Sequence, residues 1–358
     1  ESECEKILEK IVEYLLSGEI DENFGFFCEY QMIEKIISLT KRHKKNINII
    51  VIKNFGVLIP SLQDNKIMFY FFSNNYMNQI ITNISYNIEE QDNDYLSYYI
   101  NFLKTITKKL DINTLSLFFH IENNNFPLLD ESSIFFNNQD VMIKNTSRNI
   151  FLYIIQLNYK PMIQYICDIP RITDFLLLTD NIKLYITMLI NNINSSHSNK
   201  ISKIKEIEEC LIDDILFIQD ILSVGIIKIN YIIINSLFSM PLKYLFKCII
   251  THTNSFIAFY VLNLFMKNIK DECILNLISF ILYSSEINQK INDFILNEEP
   301  LDIYNLLHLN KHIYNLTKDS HISIEQYITL IYNENFLKSI RHMKAQDKTF
   351  FEIQAIMN

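Results

Sequence analysis

Apolar residues recur at helical spacing through nearly the whole chain, and the sequence holds almost nothing that would interrupt a helix. Between Tyr95 and Leu110, the residues Leu96, Tyr99, Leu103, Ile106 and Leu110 follow one another at three- and four-residue steps, while Lys104, Lys108 and Lys109 fall off that stripe. One face is therefore predicted to be buried and the other wet. Ile201, Ile204, Ile207, Leu211, Ile215, Ile218 and Leu222 repeat the pattern, with Lys205 and Glu209 one turn apart on the exposed side. Only four glycines occur, Gly18, Gly25, Gly56 and Gly225. None is near enough to another to build a phosphate-cradling loop or a nucleophile elbow, which excludes dinucleotide-binding, P-loop, kinase and α/β-hydrolase readings.

Polar breaks punctuate the pattern and supply cap candidates at Ser61, Ser73, 92–94, Asp111, Asp130, Asp140, Asp271 and Ser323. Pro161, Pro241 and Pro300 each precede an apolar-periodic run, so they are expected to mark helix starts, where a missing N–H costs nothing. Helices of ordinary length in succession predict an all-α chain, an irregular α-solenoid of armadillo or HEAT type without a strict sequence repeat. A compact irregular helical domain is the alternative. The polar stretch 191–200 is the softest boundary, separating an N-terminal helical region, 1–190, from a C-terminal one, 201–358, that continues the solenoid.

A hydrophobic content of 49% supports a continuous core over 358 residues, and a formal charge of −9 argues against nucleic acid as a partner. The six cysteines at 4, 28, 167, 210, 248 and 273 lack metal-finger spacing and are expected to be buried free thiols. The apolar runs Phe256–Met266 and Ile274–Leu282 fall short of the roughly 18–20 residues that cross a bilayer, so no membrane-spanning helix is expected.

No catalytic constellation emerges, and no enzyme, metal or cofactor is expected. His308 and His312 stand one turn apart, but Leu309 occupies the position where a zinc protease carries its glutamate, and a solvated or packed pair is the favoured reading. His120, Glu122, Asp130 and Ser132 lack a nucleophile turn. Carboxylate pairs such as Glu208–Glu209 and Asp213–Asp214 read as wet helix faces or caps. One basic cluster stands out, Lys41, Arg42, His43, Lys44 and Lys45. It reads as a solvated loop at a helix end, or as a contact for an anionic membrane surface or an acidic protein segment, at about 1 kcal/mol per charge. Aromatic runs such as Phe69–Phe72, Phe118–Phe119 and Phe135–Phe136 read as core, with some members facing a neighbouring repeat or a partner.

The blocks FGFFCEYQMI (24–33), FYFFSNNYMNQII (69–81), YYINFLKTITKK (98–109), NNNFPLL (123–129) and SIFFNNQDVMIKNTSRNIFLYI (133–154) resemble, in order and spacing, the FPL-domain family, named for its Phe-Pro-Leu triplet. The triplet here is Phe126-Pro127-Leu128, the domain is expected at about 24–155, and the likeness extends to about residue 283. Either the triplet contacts another molecule or it is an aromatic, a rigid turn and an aliphatic plug at a helix-to-helix corner. The resemblance implies a cytoplasmic helical scaffold, peripheral on endosomal and Golgi membranes. It would act in vesicular trafficking to the lysosome or vacuole, in autophagy and in mitophagy, with partners in the endosomal tethering machinery. The alternative implied is a component or adaptor of a ubiquitin ligase, although no RING-like Cys/His array is present.

Overall fold

The apolar spacing resolves into helices, and no strand occurs among the described residues. The computed structural model describes residues 2–282 apart from 18–19, 43, 63–64, 86–92, 120–124, 169–171, 194–199 and 252. In order these are α1 (Ser2–Leu16), α2 (Ile20–Glu29), α3 (Met32–Thr40), α4 (Lys45–Ser61), α5 (Asn65–Phe72), α6 (Tyr76–Ser85), α7 (Asn93–Thr107), α8 (Ile112–Phe118), α9 (Pro127–Ser133), α10 (Val141–Gln156) and α11 (Lys160–Cys167). There follow α12 (Ile172–Ile193), α13 (Lys200–Ser223), α14 (Ile227–Leu237), a π-helical turn Phe238–Leu242, α15 (Lys243–Ile250), α16 (Ser255–Asn268) and α17 (Glu272–Leu282).

The chain divides into two compact units, 1–168 and 169–358. The division falls before α12, upstream of the polar stretch 191–200 at which the sequence suggested it, because α12 and α13, which flank that stretch, pack on each other within the second unit. In the first unit helices pack on their third neighbours: α1 on α4, α4 on α7, α7 on α10; α3 on α6, α6 on α9; α5 on α8. The predicted stripe of α7 and the turn after it, Leu96, Tyr99, Leu103, Ile106 and Leu110, is buried throughout. The second unit is built around α12, which contacts α13, α14, the π turn and α16. There Thr179 and Ser236 satisfy each other's buried hydroxyls at 2.6 Å.

Local rules set many of the ends. Asp111 forms a capping box with Thr114, its carboxylate accepting that residue's N–H at 2.7 Å. Asp140 accepts from the N–H groups of Met142 and Ile143 at 2.8 and 3.2 Å, and Asp271 from that of Ile274 at 3.1 Å. Pro161 lies in the first turn of α11 as expected, whereas Pro300 is outside the described residues.

Several expectations are corrected. Asp130 does not open its helix; Pro127 does, because its ring presets the backbone for a first turn and its absent N–H is not needed there. Pro241 is not a helix start but sits inside the π turn, where the ladder widens around the missing donor and continues as α15. Ile201, the first member of the α13 stripe, is exposed in the opening turn of its helix. Among the five cysteines whose side chains are described, Cys248 is buried and Cys4, Cys28, Cys167 and Cys210 are half-buried; the side chain of Cys273 is outside the described set. The continuous helix Ile227–Ile250 is long and apolar enough to cross a membrane by length and composition, a property hidden by the proline in its middle. Half of its most apolar window is buried, and Leu237, Leu242, Leu245 and Ile249 lie in the core of the second unit.

The Asp140 cap carries the first test. Replacing Asp140 with Ala removes the acceptor for two α10 N–H groups and lowers unfolding free energy by about 1 kcal/mol in urea titrations, while Asp140→Asn costs only a few tenths.

Candidate functional site

Phe126, Pro127 and Leu128 form the hinge between the segment after α8 and α9, and all three are buried. The Phe126 ring meets Phe118 and Phe119 edge-on, with centroids 6.0 Å away in each case. Phe118 in turn packs edge-on against Phe72 at 5.4 Å, and Phe119 against Tyr165 at 5.0 Å. The corner is therefore an aromatic chain linking α5, α8, the α9 start and α11. Its backbone is pinned as well: the Phe126 N–H donates to the Tyr165 hydroxyl at 3.0 Å and, more distantly, to Asp130 at 3.4 Å, while that hydroxyl donates to Asp130 at 2.6 Å.

Two further groups hold the corner, neither conspicuous in the sequence. The Ser147 hydroxyl of α10 donates to the Ser132 carbonyl at 2.6 Å, and the buried Arg148 donates through Nε to the Phe136 carbonyl at 3.1 Å. An arginine with an apolar neighbourhood is invisible to periodicity, since its value lies in capping a carbonyl that only folding brings near. Beside the corner, burial raises the Glu131 carboxyl above its ordinary 4.5, opposed by a hydrogen bond with Ser85 and reinforced by Asp130. Asp130 and Ser132 are thus occupied in packing, and His120 and Glu122, like His308 and His312, lie outside the described residues.

The basic cluster lies between α3 and α4. Lys41 caps α3, Lys44 precedes α4, Lys45 begins it, and Lys41, Arg42, Lys44 and Lys45 are exposed; His43 is outside the described residues. All four fall at the short connection between α3 and α4, far from the Phe126 corner in sequence.

A third feature escaped the reading of the sequence. Ile7, Ile11 and Tyr14 of α1 face Phe26 of α2, Tyr30 and Met32 across an apolar groove of about 470 Å³. Ile7, Tyr14, Phe26 and Tyr30 are large side chains left exposed. The walls are tied by buried Asn23, whose amide donates to the carbonyls of Tyr14 and Ser17 at 2.6 and 3.1 Å. Helical spacing marks these residues as an apolar face, but only the packing leaves part of that face uncovered.

The first unit thus defines an all-helical domain whose Phe-Pro-Leu segment is a buried inter-helix corner. The model of the FPL family, described as an uncharacterised conserved protein, matches residues 8–155, so the first unit carries an FPL domain. The domain begins earlier than the blocks at 24–155 indicated, and takes in α1 from Leu8 onward. Mouse protein CLEC16A is 26% identical over 237 residues, covering 64% of this chain and 22% of that protein. Arabidopsis thaliana protein TRANSPARENT TESTA 9 is 26% identical over 236 residues, covering 63% of this chain and 28% of that protein. The Caenorhabditis elegans CLEC16A homolog is 30% identical over 158 residues, covering 44% and 17%. The chain therefore spans less than a third of the length of these relatives.

Two outcomes are expected at the corner. Phe126→Ala leaves a cavity among aromatic rings and lowers stability by about 3–5 kcal/mol, and Tyr165→Phe, which leaves the Phe126 N–H only its longer bond to Asp130, by about 1–3 kcal/mol, both read by chemical denaturation. Glu131, raised above 4.5 in the fold, contributes fully below pH 4.5 and loses that contribution as pH rises through its folded value. Glu131→Gln removes the loss, so the melting-temperature difference, variant minus native, becomes more positive from pH 4.5 to pH 7.

Proposed function

We propose that this chain is the helical scaffold portion of a non-enzymatic adaptor in endosomal and Golgi-to-lysosome or vacuole trafficking and autophagy, working on the cytoplasmic side of membranes. The observation that carries the reading is the packing of helices on their third neighbours across the first unit. That period is the one an armadillo-type solenoid uses, with each three-helix repeat burying its face on the next and leaving long outer surfaces for partners. The triplet that names the family is consumed in packing, so recognition falls to surfaces such as the α3–α4 cationic loop and the α1–α2 groove. The trafficking assignment rests on the resemblance to the FPL family and on relatives that match a fraction of their length.

The reading is tested in cells and on vesicles. A tagged chain is expected to co-purify with tethering or coat proteins and to sediment in part with endosomal membranes; recovery of the bulk as free cytosolic protein without such partners overturns the assignment. Reversing Lys41, Arg42, Lys44 and Lys45 to Glu is expected to lower co-sedimentation with phosphatidylserine vesicles by more than about tenfold, given about 1 kcal/mol per charge. Chain formation by purified protein with ubiquitin, activating enzyme and conjugating enzymes alone would make it a ligase and overturn the non-enzymatic reading.

A further inference from the structure

We propose that the groove between α1 and α2 is the docking site for a basic amphipathic helix of a partner protein. Its apolar lining suits the mode in which an apolar helix face lies in a groove with anchors at one-turn spacing. Exposed Ile7 and Tyr14 stand two turns apart on α1, and exposed Phe26 and Tyr30 one turn apart opposite them. The Asn23 amide, bonded to the Tyr14 carbonyl in α1 and to the Ser17 carbonyl just after it, holds the walls at a set distance, so the groove exists before any ligand arrives.

Charge selects the occupant. Residues 1–35 carry ten Asp and Glu against three Lys, a formal −7 out of the chain's −9. Glu22 and Glu29 flank Phe26 at four- and three-residue steps, Glu3 continues the Ile7 stripe one turn earlier, and all three are exposed. An anionic bilayer would be repelled from this rim, and a second copy would set two −7 segments face to face. A cationic helix gains from the same field, steered to the groove by the carboxylates and anchored by its apolar side. Lys10 on the α1 rim gives the docked helix one position that favours an acidic residue. The inference is independent of the trafficking reading, which stands or falls on the cellular partners.

The probe is a fluorescein-labelled peptide of about 18 residues with Leu at helical a/d/e spacing and Lys elsewhere, read by anisotropy beside its Lys→Glu counterpart and a scrambled Leu/Lys peptide. The Leu/Lys helix is expected to bind at least about tenfold more tightly than either control, and to weaken from about 50 to 300 mM salt. The double substitution Tyr14→Ser with Tyr30→Ser should cost about tenfold, and Glu22→Lys with Glu29→Lys should remove most of the salt dependence. Circular dichroism melts verify that these exposed changes leave the fold intact. Equal binding of the scrambled or acidic peptide, or affinity unmoved by the groove variants, overturns the proposal. So does a dimer in sedimentation equilibrium, or binding to phosphatidylserine vesicles, that Tyr14→Ser/Tyr30→Ser abolishes, since the occupant is then a second copy or a bilayer.

Discussion

Burial of α7 on several sides at once is the constraint from which the first unit follows. Helices α4, α9 and α10 all pack against it, so its apolar stripe must be wide and its polar groups must find partners inside the protein. Tyr95 and Tyr99 meet that demand by donating to the ends of α6, at the carbonyls of Ile84 (3.0 Å) and Ile81 (3.4 Å), and Tyr95 also accepts from Asn48 of α4 at 3.2 Å. Each of those bonds joins two helices. Once α7 is covered, α4 and α10 are fixed on its flanks and carry the every-third-helix packing outward to α1.

The Phe-Pro-Leu corner solves the next problem, which is how to start α9 in a crowded interior. A buried chain reversal exposes backbone groups that must be paired. Tyr165 supplies a hydroxyl to the Phe126 N–H, Asp130 accepts from that hydroxyl, and Arg148 takes the carbonyl at Phe136. The Phe-Pro-Leu triplet is thereby built into the packing of several helices. Exposed instead are the cationic connection between α3 and α4 and the aromatic rim of the α1–α2 groove.

The buried stripe of α7, the caps at Asp111 and Asp140 and the ordered aromatic blocks were legible because each depends on residues a few positions apart. The order of those blocks also carried the family, although α1, lying outside them, had to be recovered as part of the domain. Pro241 misled because a proline is read as a boundary, whereas a π turn absorbs it without ending the helix. Ile201 misled because periodicity marks an apolar face but not how far along the helix that face is covered. The unit division moved for a related reason: 191–200 is polar, but polarity of a connection says nothing about whether the helices it joins pack together.

Sequence by itself determined that this chain is helical, where several helices begin and which of their faces are apolar, since these follow from backbone propensity, capping chemistry and a 3.6-residue period. Tertiary structure alone decided that the Phe126 corner is buried, that Arg148 caps a carbonyl twelve residues away, and that the apolar faces of α1 and α2 remain partly open. The physical reason is range: a helix is written in contacts one turn apart, whereas burial depends on which distant surface arrives to cover it.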